Sequence, residues 1–188
     1  MHVLLLEMSA QGSWQVTDFQ HIVHRPGQWQ TALHQALALL PANTRLSVVL
    51  SSSQYQLLQA DKPMVPGSEI IQALPWQIKE LISTDISDIV VDYIDLPVKP
   101  QQTERINIVV ASKSWLKELI EIIHQYKVRL HIIQPEEWLP MTLLPSETQP
   151  SMLVMHQPEQ ELLIQIIYKG TLYFSRRYFV FFAPGTWL

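Results

Sequence analysis

The chain has 188 residues, 47% hydrophobic and 16% charged, a globular composition long enough for one subdivided domain or two small ones. Its 13 Lys+Arg against 17 Asp+Glu give a net charge of −4, which leaves no cationic surplus to grip a nucleic-acid backbone and excludes nucleic acid as a partner. The absence of cysteine removes disulfides, thiolate metal sites and thiol catalysis, and fits a reducing compartment, read as the cytosol.

MHVLLLEMSA opens the chain with a short apolar run that no basic segment precedes and that Glu7 interrupts, so it reads as a buried strand and not a secretion signal. Nothing later approaches the roughly 18 apolar residues of a membrane helix. Val3 to Glu7, Trp14 to Asp18 and Gln20 to His24 read as three successive strands, with Gly12-Ser13 as the first turn. Pro26-Gly27 then opens a helix in which Trp29, Ala32, Leu33, Ala36, Leu37 and Leu40 form one apolar stripe, ended by Pro41. Arg45 to Leu50 is again a strand, so the first fifty residues spell βββαβ.

After Ser51 to Ser53, a strand from Tyr55 leads through Pro63 and Pro66 into a helix around Glu69 to Leu81, with Ser68 as N-cap and a kink or restart expected at Pro75. Asp88 to Leu96 and Arg105 to Ala111 alternate as strands across an exposed Pro97 to Thr103 loop. From Ser112, a second N-cap candidate, Trp115, Leu116, Leu119, Ile120, Ile122, Ile123 and Tyr126 give a second amphipathic helix, followed by the strand Val128 to Ile133. A short helical turn at Glu136 to Leu144, broken by Pro140, precedes the linker Pro145 to Pro150. Met152 to His156, Glu161 to Tyr168 and Thr171 to Tyr178 then repeat the three-strand opening, the last two as a hairpin through Lys169-Gly170.

Residues that invite chemistry have simpler readings. His21 and His24, three apart on a strand, face opposite sides and cannot chelate one ion. Asp85, Asp88, Asp92 and Asp95 read as caps and solvated strand edges, Ser51 to Ser53 as a turn, and Arg176-Arg177 as solvated charges ending a strand. Trp29, Trp76, Trp115 and Trp138 fall on apolar helix positions and read as core, with partner anchors as the minority reading. No catalytic, cofactor or metal set emerges, and the chain reads as one that presents surfaces to partners.

The run Tyr55, Leu57, Pro63, Glu69, Ala73, Trp76, Gln77, Lys79, Asp92 and Pro97, with NIVVASKSWL after it, resembles the MshI family of MSHA pilus biogenesis proteins, PilM-like and GspL-like members of the actin-like superfamily. The resemblance implies an α/β, actin-like (ribonuclease H-like) fold. It divides the chain into a first lobe at 1–53, an inserted strand-helix-strand-strand (SHS2-like) subdomain at 54–133, a returning helix and linker at 134–150, and the start of an incomplete second lobe at 151–188. A fragment of a longer, membrane-anchored protein is one expectation and a naturally short form the other.

The family's two phosphate loops carry an acid and then a glycine; here Glu7 and Ser9 stand in those places in the first, and His156 and Pro158 in the second. Glycine admits backbone amides to a phosphate and proline supplies no amide, so these degenerate loops imply no cofactor. The implied role is a non-enzymatic scaffold of type IV (MSHA-type) pilus biogenesis, cytoplasmic and peripheral to the bacterial inner membrane, docking a PilN-like inner-membrane protein and the assembly ATPase. An ATP-binding actin-like protein and a generic dimerisation module, a homodimer, are the alternatives.

Overall fold

The computed structural model describes residues 1–25, 27–97, 103–144, 149–157 and 161–179. The chain divides into two compact units, Met1–Val48 with Ser114–Ile133, and Val49–Lys113 with Gln134–Leu188. The segments read from the sequence kept 54–133 together, whereas these units group the helix and strand after Lys113 with the N-terminal elements.

In the first unit, β1 (His2–Met8) and β2 (Trp14–His21) form an antiparallel hairpin. Two strands stand where the sequence suggested three, because β2 runs on through Phe19 and Gln20 and absorbs the irregularity as a bulge opposite Leu5/Leu6. Ile22 to Arg25 lie outside any strand, so the opening is ββαβ. Helix α1 (Trp29–Ala38) buries Ala32, Leu33, Ala36 and Leu37, the expected stripe. It lies beside α3 (Lys113–His124), which buries Leu119, Ile122 and Ile123. The Trp29 and Trp115 rings meet at 5.2 Å, Gln30 Nε2 donates to Glu118 at 3.1 Å, and His34 Nδ1 lies 2.9 Å from the Tyr126 hydroxyl. The strands that follow the two helices, β3 (Arg45–Leu50) and β7 (Arg129–Pro135), pair with each other.

In the second unit, β4 (Tyr55–Asp61), β6 (Arg105–Ser112) and β5 (Ile89–Asp95) form an antiparallel sheet with β6 central. Alternation along β6 sends Ile106, Ile108 and Val110 into one core with Ile89 and Val91 of β5 and with Ile70, Leu74 and Ile78 of α2 (Ile70–Ile78). Each such side chain contributes about 1.5–3 kcal/mol on burial, which offsets the roughly 3 kcal/mol cost of Pro75 inside α2. The helix continues past the proline and tightens into a 3₁₀ turn at Lys79–Leu81. It begins after a 3₁₀ turn, with Glu69 and not Ser68 as N-cap.

The alternate position on β6, Asn107, is 2% exposed and donates Nδ2 to the Leu172 carbonyl at 2.5 Å. Leu172 belongs to β10 (Thr171–Phe179), which with β9 (Glu161–Tyr168) and β8 (Ser151–Gln157) makes a second antiparallel sheet, order β10-β9-β8. Lys169 (φ 52°) and Gly170 (φ 72°) form the tight turn of the β9–β10 hairpin, both with the positive φ that such turns require. Pro140 lies in the first turn of the short α4 (Leu139–Leu143), where its missing N–H is tolerated, so it starts a helix and does not break one. Among the described residues no helix is long and apolar enough to cross a membrane.

Candidate functional site

Of the positions that the resemblance set against phosphate loops, Glu7 and His156 lie near the ends of β1 and β8. Glu7 is exposed on β1 opposite Gln15. Ser9 begins a tight turn whose groups satisfy one another: its amide donates to the Ser13 carbonyl at 2.8 Å, the Gly12 amide to the Ser9 carbonyl at 3.0 Å, and the Ser13 amide to Ser9 Oγ at 3.2 Å. Gly12 has φ +78°, which the turn demands. His156 is exposed on β8 opposite Leu162, and Pro158 lies outside the described residues.

The other residues singled out by sequence disperse to local partners. Asp85 accepts from the Ser87 hydroxyl and amide at 2.6 and 2.8 Å, and these two bonds hold its carboxyl below the usual carboxylate range. Asp92 accepts from the Tyr93 amide, Asp95 pairs with Lys62 at 2.7 Å, and Asp88 accepts from Ser112 Oγ at 2.9 Å. The hydrogen bond to Asp95, working against burial, raises the Lys62 pKa. Ser51 to Gln54 form a turn, with Ser51 and Gln54 closing a capping box. His21 stacks on His2 at 4.5 Å, while His24 Nδ1 contacts the Arg25 carbonyl. Among the described residues no group of three or more His, Cys, Asp or Glu could hold a metal ion. Trp76 departs from the core reading, since it is 69% exposed on α2.

The principal correction concerns Arg177. The sequence placed it in solvent as the end of a strand, yet its side chain is only 18% exposed and meets three carboxylates. Register explains the reversal: β10 alternates, so Arg176 turns outward over the Tyr178 ring while Arg177, opposite Leu163, turns inward. Its Nη1 donates to Glu161 Oε2 at 2.9 Å, and its Nη2 to Glu137 Oε1 at 2.7 Å and to Glu136. The Tyr55 hydroxyl donates to the other oxygen of Glu137, whose residue is 4% exposed, and Gln165 Nε2 donates to the Glu137 carbonyl at 2.9 Å. Burial works against the Arg177 charge, but the hydrogen bond and attraction of Glu137, then Glu161 and Glu136, outweigh it and raise its pKa.

A shallow depression of about 320 Å³ opens beside the cluster, lined by Ser52, Tyr55, Leu57, Ser175 and Arg176 with Glu137 and Arg177. Chemically the cluster is a lock. The guanidinium is saturated by carboxylates, and Tyr55 and Gln165 fix the central one, so it ties the turn at Glu136–Trp138 to β4, β9 and β10. Sequence reading missed it because Tyr55, Glu136-Glu137, Glu161 and Arg177 lie far apart along the chain. The one local signal was an adjacent acid pair directly after Pro135.

No protein-family profile and no curated protein sequence matches the chain. Solved structures do match. The cytoplasmic domain of EpsL, an inner-membrane component of the type II secretion system of Vibrio cholerae, aligns at TM-score 0.63 and 17% identity, covering 95% of this chain and 66% of that one. A chain of the PilM-PilN type IV pilus biogenesis complex aligns at TM-score 0.72 and 14% identity, covering 95% of this chain and 58% of that one. The chain thus spans about two thirds or less of the matched structures, and it shares their mixed α/β fold.

Proposed function

We propose that this chain is a non-enzymatic assembly scaffold of a type IV pilus of the MSHA type. It would sit on the cytoplasmic side of the inner membrane and dock a PilN-like membrane protein and the assembly ATPase. The observation that carries the reading is the match along 95% of the chain to a structure of the PilM-PilN complex, at TM-score 0.72. The second match, an inner-membrane secretion component, supports the same class of machine. The turn at Ser9 to Ser13 supports a role without nucleotide, because the Ser9, Gly12 and Ser13 amides are engaged within the loop and not presented to a phosphate.

Calorimetric titration of the chain with a synthetic peptide of the cognate PilN-like protein's cytoplasmic tail tests the reading. Saturable binding at micromolar concentration is expected, with amide NMR shifts that locate the contact. The absence of both binding heat and amide shifts at high micromolar peptide would refute docking. Pull-down of the assembly ATPase tests the second partner separately.

A further inference from the structure

The β1–β2 hairpin turns its apolar face outward. Directly paired residues of an antiparallel ribbon share a face, so His2 with His21, Leu4 with Phe19, Leu6 with Val16 and Met8 with Trp14 all lie on one side. The bulge is what makes this possible. Were Thr17 paired in regular register, Val16 and Trp14 would fall out of phase with Phe19; with Thr17 taken up as a bulge, six large apolar side chains gather on one surface. Their exposures are 52% for Leu4, 46% for Leu6, 59% for Met8, 66% for Trp14, 58% for Val16 and 57% for Phe19.

The opposite face holds Val3 and Leu5, both half-buried, and β2 contributes Gln15, Asp18 and Gln20 to it. A sheet with one wet side normally turns its apolar residues away from water, whereas this ribbon leaves its apolar face exposed along with its polar one. A two-stranded ribbon is also marginal by itself and needs a second layer on its apolar side.

We infer that this face pairs two copies of the chain, ribbon against ribbon, about a two-fold axis. Scaled from whole side-chain areas, the six residues expose roughly 600 Å², the upper end of what a monomer's largest patch carries. Two copies face to face would cover about 1,200 Å², where the range for stable protein interfaces begins. No Asp, Glu, Lys or Arg stands on the face, so it carries no charge pattern to select an unlike partner, and an uncharged apolar face can pack on its own copy about a two-fold axis. The inference is independent of the docking reading above, which invokes a membrane-protein tail.

Because the chain contains no cysteine, one introduced thiol reports the contact cleanly. Val16→Cys lies on the apolar face and Gln15→Cys on the other. Mild oxidation should link Val16→Cys into covalent dimers at least about tenfold faster than Gln15→Cys. Sedimentation of the unmodified chain should give twice the monomer mass at micromolar concentration, and Phe19→Lys, with an unchanged far-UV circular dichroism spectrum, should weaken that association at least about tenfold. A monomer mass up to 200 µM would overturn the inference, as would equal cross-linking at the two positions. Dimers that persist unchanged in Phe19→Lys would also overturn it, by placing the contact elsewhere. A monomer that gains mass only with the PilN-like tail would overturn it while upholding the docking reading.

Discussion

Replacing Arg177 by Met removes the cation at the centre of three carboxylates and leaves Glu137, whose side chain is 5% exposed, with its charge and one remaining side-chain donor, Tyr55. Glu161 and Glu136 are 19% and 25% exposed and can rotate toward water, so the cost concentrates on Glu137. Breaking a buried ion pair from one side costs about 3–5 kcal/mol, and the partial exposure of the other two acids places the expected loss near about 3. Combining Arg177→Met with Glu137→Gln removes the stranded charge and should return about 2 kcal/mol, a coupling typical of groups in one network. Urea unfolding followed by tryptophan fluorescence and circular dichroism measures both variants and their double-mutant cycle. A loss below about 1 kcal/mol for Arg177→Met, the scale of surface ion pairs, would refute the argument that the cluster is a buried lock. A double mutant worse than the sum of the singles would refute the assignment of the cost to Glu137.

Leu119→Ala should cost about 2–5 kcal/mol, because Leu119 is 3% exposed in α3, while Lys117→Ala, which breaks an exposed 3.8 Å pair with Glu121, should cost under about half a kcal/mol in the same unfolding assay. His2 should titrate by NMR below its ordinary 6.5, since burial first, then His21 and the N-terminal ammonium, oppose its charge. The unfolded chain then takes up that proton before the folded one, so the contribution is intact above pH 6.5 and lost as pH falls through the lower folded value; a midpoint above 6.5 would contradict the stacked geometry. Magnesium ATP should show no saturable binding below about 0.1 mM, about −5.5 kcal/mol on the affinity scale, and a titration that saturates below that concentration would instead favour the nucleotide-binding alternative.

Much of the element order was legible in the sequence because it rests on local chemistry. The stripe from Trp29 to Leu40 is a helix in any context that offers an apolar surface, and Lys169-Gly170 between two alternating runs can close a hairpin with few alternatives. Where local rules compete, they misled. Pro75 signalled a kink or a restart, and with Ile70, Leu74 and Ile78 buried the helix does not restart there; Pro140 signalled a break where its place in the first turn made it harmless. The division of β2 into two strands failed because a single bulge residue, Thr17, repairs a phase slip that reads in one dimension as an interruption.

What only the tertiary structure decided is which side of each element faces what. The sequence gives the period of a strand but not its partner, so it could not tell that Arg177 points inward to three acids from two separate segments while Arg176 points to water. Nor could it tell that the apolar side of the β1–β2 ribbon faces outward, since an alternating pattern reads the same whichever side is covered. Periodicity is a property of neighbours in the chain and is written in the sequence; register and burial are properties of neighbours in space, set by contacts whose sequence separation carries no local signal.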